Sequence, residues 1–215
     1  MPTMLFYVNG LARNFAPTRK ENQMSVKKKY QIIYADPPWK YGGRSAPNDK
    51  WRKPLEENYP TQDLNWLKNL NVKNISDENC LLFLWVVSPY LKQCIEVGES
   101  WGFKYITVAF VWHHRMALLG NYTMAGCEMC LLFKKGKIPE GKLKGKGNGV
   151  KQFLEEKKEY ASKKPDEVRN RIKKLFPISK RIELFARQKT KDWDVWGNEV
   201  ESDITLITEL IGEVR

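Results

Sequence analysis

The apolar run Tyr30-Gln31-Ile32-Ile33-Tyr34-Ala35 ends against Asp36-Pro37-Pro38-Trp39, and this junction constrains the fold more than any other stretch of the chain. Branched and aromatic side chains suit a buried strand, whereas successive prolines give no N–H to a sheet ladder and cannot prolong one. A strand over Tyr30–Ala35 therefore stops where an acid begins. In an open α/β sheet, ligands gather just beyond the carboxyl ends of the strands, so Asp36 is expected to face a cleft rather than the core. Further apolar runs at Cys80–Val87, Phe103–Trp112, Glu128–Phe133 and Arg181–Ala186 alternate with segments of helical period. That alternation predicts an α/β fold. Thr61 is placed to cap a helix carrying Leu64, Leu67 and Leu70, and Ser88-Pro89 opens another that ends before Gly102. Pro165-Asp166-Glu167 opens a third, with Val168, Ile172 and Leu175 inward. Long loops remain over 40–60, 113–126 and 134–163.

With 215 residues and no long Pro/Gly/Ser linker, the chain is expected to form one domain with a real core. A formal net charge of +12 points to a polyanionic partner, and eight Trp, nine Tyr and nine Phe add the stacking surfaces that splayed nucleotides need. Much of the positive charge falls in two of the long loops. The first holds Lys40, Arg44, Lys50, Arg52 and Lys53, and the last holds Lys134, Lys135, Lys137, Lys142, Lys144, Lys146 and Lys151. Such loops either grip phosphates around a cleft or form a solvated face. No run approaches the roughly eighteen apolar residues of a membrane span, and Leu5-Phe6-Tyr7-Val8 is too short for a signal-peptide apolar region, so a soluble cytoplasmic protein is expected. Cys127-Glu128-Met129-Cys130 has metal-ligand spacing, yet Cys80 and Cys94 provide no second pair, which favours reduced core thiols and no metal. The adjacent His113 and His114 follow a strand-like segment as loop residues, placed to touch a phosphate or a base.

The chemistry of the junction follows from its residue types. The exocyclic nitrogen of adenine is a poor nucleophile because its lone pair is delocalised into the ring. A carboxylate (Asp36) and a backbone carbonyl (Pro37) that accept the two amino hydrogens favour a pyramidal nitrogen aimed at an electrophilic methyl group. The prolines stiffen the backbone and leave its carbonyls as unpaired acceptors. Trp39 would supply a stacking platform worth about 1–3 kcal/mol to a base taken out of its helix. The competing reading is a strand-terminating Asp-Pro turn beside a core tryptophan.

Residues spanning Tyr30 to Glu199 resemble, in order, the MT-A70-like group of S-adenosylmethionine-dependent adenine-N6 methyltransferases. The resemblance is carried by Asp36–Trp39, Tyr59-Pro60-Thr61, Leu82-Phe83-Leu84-Trp85-Val86, Trp101-Gly102-Phe103, Trp112, Glu128 with Leu131, and Lys135-Gly136. It continues through Ser162, Lys164-Pro165-Asp166-Glu167, Glu183-Leu184-Phe185-Ala186-Arg187 and Trp196-Gly197-Asn198-Glu199. It implies a Rossmann-like class I methyltransferase fold, a mostly parallel sheet with flanking helices in permuted motif order, with the catalytic motif ahead of the principal cofactor strand. By the same resemblance Asp36, Pro37, Pro38 and Trp39 are catalytic, and Asp36 lies between cofactor and target. Lys164 would meet the carboxylate of S-adenosylmethionine, Glu183 and Arg187 its ribose region, and Asn198 with Glu199 its adenosine end. Substrate contacts would come from Trp39, Tyr59, Lys40, Arg44, His113, His114, Lys142, Lys144 and Lys146.

Some features depart from that pattern. Gln188-Lys189-Thr190 stands where the eukaryotic catalytic subunit has a His-Asn pair, with Lys189 as a substitute cation. Residues 1–23 form an extension without a counterpart, 24–199 the methyltransferase domain, and 200–215 an amphipathic tail suited to packing on its own domain, a homodimer partner or a related subunit. The compact chain resembles bacterial and phage DNA-modifying forms, so DNA is the expected substrate. Methylation of RNA, a catalytically silent partner subunit and a plain nucleic-acid-binding module are the alternatives.

Overall fold

A computed structural model describes residues 28–39, 63–119, 122–138, 149–157 and 163–206, together with two short strands, Phe6–Val8 (β1) and Leu11–Arg13 (β2), paired antiparallel. Seven strands make the main sheet: Tyr30–Ala35 (β3), Ser76–Val86 (β4), Lys104–Leu119 (β5), Met124–Lys135 (β6), Phe153–Glu155 (β7), Arg181–Leu184 (β8) and Asp194–Trp196 (β9). Their spatial order is β7-β5-β6-β4-β3-β8-β9. Only β6 runs against its neighbours β4 and β5, and every other pairing is parallel. The strand that delivers Asp36 thus lies in the middle of the sheet, beside a strand that follows it by nearly 150 residues in the sequence.

Period-two alternation sends side chains of each central strand to opposite faces. Leu82, Leu84 and Val86 of β4 enter one core with Ile33 and Ala35, whereas Leu81, Phe83 and Trp85 enter the other with Ile32 and Tyr34. The first face is covered by Leu64–Asn69 (α1) and Leu91–Ser100 (α2), through Leu67, Cys94 and Val97. Asp166–Leu175 (α3) covers the second through Val168 and Ile172, with Leu175 partly buried beside them. Asp166 and Glu167 in its first turn and Lys173 and Lys174 in its last complement the helix dipole.

The cap of α1 is Asp63, whose carboxylate accepts the Asn65 N–H at 2.6 Å, while Thr61 lies outside the described residues. Ser88–Tyr90 forms a single 3₁₀ turn before α2, and that helix closes at Trp101 as expected, with Gly102 at φ +85°. The expected loop 113–126 is instead the far half of a long β5–β6 hairpin, with β5 running to Leu119 and β6 starting at Met124, and residues 120–121 lie outside the description. Its ladder survives register shifts between His113 and Leu118, which is why no regular alternation marks it. Part of the expected loop 134–163 is β7, held beside β5. β8 stops at Leu184, earlier than expected, because Phe185 takes a left-handed φ of 62°. Cys80, Cys94 and Cys130 are buried thiols, but Cys127 is exposed rather than core. Among the described residues no helix is long and apolar enough to cross a membrane.

Candidate active site

Asp36 emerges directly from β3, and its carboxylate is met by an ammonium from the segment just ahead of α3. Lys164 Nζ donates to Asp36 Oδ2 at 2.8 Å and lies 3.1 Å from Glu128 Oε2 of β6, while sitting 5.6 Å from the centroid of the Trp85 ring. The Lys164 side chain is only 10% exposed. Burial works against its charged form, but the charges of Asp36 and Glu128 and their hydrogen bonds more than offset this, so its pKa is raised above the ordinary lysine value. Pro165 explains the placement. It caps α3 with extended backbone geometry, so the residue before it projects back over the strand ends.

A second ion pair sits behind the first. Arg169 of α3 clamps Glu183 of β8 through Nε at 2.7 Å and Nη2 at 2.6 Å, and its Nη1 reaches Asp166 at 2.6 Å. Burial raises the Glu183 pKa, against the lowering pull of Arg169. The Arg169 guanidinium also lies 5.4 Å from the Tyr34 ring centroid, and the Tyr34 hydroxyl accepts the Trp85 indole N–H at 2.7 Å. Tyr34 and Trp85 are completely buried, so this chain of contacts runs inside the protein from β8 to the floor beneath Lys164.

The turns after β8 and β9 form the outer part of the site. Backbone of Ala186 passes so close to Gly197 that a Cβ there would meet the Ala186 carbonyl oxygen at 2.1 Å, and the Ala186 N–H bonds the Trp196 carbonyl at 3.0 Å. Only glycine permits this approach. It brings Arg187 beside Glu199, with Nε 3.0 Å from Oε1, and leaves Asn198 exposed. Lys189 points instead to Asp203 at 3.3 Å and Glu201 at 3.8 Å.

Several sequence expectations look different in three dimensions. Pro37 is not an unpaired acceptor, because its carbonyl takes the Trp39 N–H at 2.9 Å. Trp39 is 6% exposed, donates its indole N–H to the Trp85 carbonyl at 3.0 Å, and lies at 23° to the half-buried Tyr90 ring, 6.4 Å between centroids. His113 and His114 belong to β5 rather than a loop. His113 stacks on Phe153 at 6.5 Å, and His114 is buried edge-on to Trp112 at 5.6 Å. Lys40, Arg44, Tyr59, Lys142, Lys144 and Lys146 lie outside the described residues, as do 1–5, 9–10, 14–23 and 207–215 of the terminal segments. The sequence reading gave no site role to Glu128, Arg169, Tyr34 or Tyr90. Glu128 carried a signal as the one acid within an apolar run. Arg169, one place along from Val168 on a helix with an apolar face, carried a weaker one.

A central strand ending in an acid, a buried lysine just ahead of a neighbouring helix and a mostly parallel sheet with helices on both faces define a Rossmann-like methyltransferase fold. The MT-A70 family profile matches residues 30–199, and the chain belongs to the MT-A70 family. It is 42% identical over 187 residues to the Type II methyltransferase M.MunI of Mycoplasma sp, covering 81% of this chain and 79% of that protein. Over 202 residues it is 27% identical to the human N(6)-adenosine-methyltransferase catalytic subunit METTL3 and 26% to the zebrafish METTL3 subunit. Those alignments cover 89% of this chain but 32% of either METTL3 protein, so the chain spans about a third of their length.

Proposed function

We propose that this protein transfers a methyl group from S-adenosylmethionine to the N6 amino group of adenine in DNA. The observation that carries this reading is the carboxylate of Asp36 at the end of β3, held by a buried Lys164. The residues suit the cofactor. An ammonium has three donors, and among the described residues Asp36 and Glu128 take two of those of Lys164, which leaves one for a carboxylate. Arg187, Asn198 and Glu199 offer a reachable polar edge for the adenosine moiety, with Glu183 behind them as part of the ribose wall. When bound, the cofactor supplies an electrophilic sulfonium methyl.

Asp36 and the second lone pair of the Pro37 carbonyl accept the two amino hydrogens of the base, which holds the nitrogen lone pair toward the cleft. An Asp36 oxygen then takes the proton that the methylated nitrogen must shed. Pro38 and the Trp39 N–H lock the loop that sets these acceptors, and Trp39 with Tyr90 builds the aromatic wall against which the base rests. Tyr59, Lys40, Arg44, His113, Lys142, Lys144 and Lys146 are proposed to meet the base and its phosphates, with His114 shaping the wall from beneath. DNA rather than RNA is supported by the higher identity to the Type II methyltransferase than to the N(6)-adenosine enzymes. Such an enzyme works in the cytoplasm, alone, as a homodimer or with a related subunit.

The test is incubation with labelled S-adenosylmethionine and matched DNA and RNA pools, digestion, and identification of the labelled nucleoside, with sedimentation of the active fraction. N6-methyladenine in DNA is expected. Label confined to RNA overturns the substrate, label on cytosine overturns substrate and target, and cofactor binding without transfer would make the chain a silent partner.

A further inference from the structure

We propose that Arg169 is a positioning residue for the Asp36–Lys164 pair, an inference that rests on the reading of Asp36 as the group that meets the amino nitrogen. Lys164 stands two residues before Asp166, the first residue of α3, so its ammonium stays between Asp36 and Glu128 only while the start of that helix is fixed. Arg169 fixes it. One guanidinium nitrogen holds Asp166 in the first turn at 2.6 Å, and the other two hold both oxygens of Glu183 at 2.7 and 2.6 Å. Glu183 lies opposite Tyr34 in the β8–β3 pairing, and Tyr34 is two residues before Asp36. The fork therefore ties the helix that follows the lysine to β8, which pairs with the strand leading to the acid.

A second route from the same guanidinium passes through the rings. Arg169 sits over Tyr34 at 5.4 Å, the Tyr34 hydroxyl accepts from the Trp85 indole at 2.7 Å, and the Trp85 ring lies 5.6 Å from Lys164 Nζ. Displacing the guanidinium frees Tyr34 to tilt, and Trp85 with it. Both routes depend on the planar, multidentate fork, which a lysine cannot reproduce even though it keeps the charge. Small errors in the placement of reacting groups are costly to rate, and the Arg169 side chain, 9% exposed, directs its three guanidinium nitrogens to Asp166 and Glu183.

A plain structural brace would use the same bonds, so the experiment has to read the folded enzyme. Full-length Arg169→Leu and Arg169→Lys are assayed well below their own melting midpoints for kcat and KM. Calorimetry gives the S-adenosylmethionine dissociation constant. The indole N–H resonance of Trp85, assigned by its loss in Trp85→Phe, reports the ring route. The expected result is a fall in kcat of about tenfold or more in both variants, a smaller loss of cofactor affinity because Lys164 also meets the cofactor carboxylate, and a displaced Trp85 resonance. Arg169→Lys should recover melting temperature more than it recovers kcat, and it carries the test if Arg169→Leu does not fold. Unchanged kcat per folded molecule would reduce Arg169 to a brace, and lost cofactor affinity with intact kcat would place it in the cofactor subsite; either overturns the proposal, as does an unmoved Trp85 resonance. A wild-type protein that transfers no methyl group sinks the functional reading instead, and the Trp85 resonance then still decides whether Arg169 positions the floor under Lys164.

Discussion

Two acid–cation clusters sit beyond the ends of neighbouring parallel strands with similar chemistry and opposite exposure. At the end of β3, Lys164 is 10% exposed and shared between Asp36 and Glu128, whereas in the β8–β9 turns Arg187 and Glu199 are 31% and 47% exposed. The difference teaches what each can do. Buried charges, stripped of water, hold each other in one geometry and act on a neighbouring dipole with little screening, which suits a reacting atom. Half-exposed charges trade partners with solvent at small cost, which suits a ligand that must enter and leave.

The comparison breaks first at Asp36. Asp36→Ala and Asp36→Asn should both abolish methyl transfer, because neither leaves a carboxylate for the amino hydrogens, while nucleic-acid affinity and fold are kept. Transfer assays with Asp36→Asn decide the point: activity within about tenfold of wild type, some 1.4 kcal/mol, would remove Asp36 from the chemistry.

A smaller effect should separate the clusters by stability alone. Lys164→Ala leaves Asp36 and Glu128 side by side without their cation and should cost on the order of 3–5 kcal/mol of unfolding free energy. Arg187→Ala, which breaks the exposed pair, should cost about 1 kcal/mol or less. Urea titrations measure both, and equal losses would mean that the contrast in exposure has no energetic meaning.

How much of this was legible in the sequence differs between the two clusters as well. β3 and the position of Asp36 were readable because an apolar run that meets two prolines has one place to stop. The helix over Asp166–Leu175 was readable from its acidic start and apolar spacing. What joins them was not. Tyr34, Trp85 and Arg169 read as ordinary residues of two strands and a helix, and they meet because β3 pairs with β4 on one side and with β8 on the other, where Glu183 faces Tyr34. Pairing across such separations is tertiary information that local periodicity does not contain. The three-residue strands β7 and β9 are too short to show any period, and the outer half of the β5–β6 hairpin is held by backbone bonds across shifted register rather than by a side-chain pattern. Lys164, Glu183, Arg187, Asn198 and Glu199 are assigned their roles through family resemblance alone.

On the exposed side, Asn198→Ala should weaken S-adenosylmethionine binding by about 1–3 kcal/mol, the worth of one polar contact, with nucleic-acid affinity and melting temperature nearly unchanged. Calorimetric titration of the cofactor checks it. An unaltered isotherm would move the adenosine end away from the β8–β9 turns.

The smallest expected effect is one of pH, at the edge of the sheet. Asp203 Oδ2 accepts the Val195 N–H at 2.8 Å and its own N–H bonds the Val195 carbonyl at 2.8 Å, which ties the segment around Asp203 to β9. The bond from the Val195 amide, helped by Lys189 against a modest burial penalty, lowers the Asp203 pKa from its ordinary value. For an acid whose folded value is depressed, the stabilisation is present above the unfolded value of about 3.9 and is lost as pH falls through the folded one. Lys164 has the opposite sign: its raised value leaves the ammonium charged throughout the acid range. Hydrogen exchange at the Val195 amide, corrected for intrinsic rate, should therefore show protection that fades below about pH 4, and Asp203→Asn should remove that pH dependence. Protection that persists unchanged to about pH 3 would show that the segment is held to β9 by its backbone bonds and packing, with the carboxylate contributing nothing.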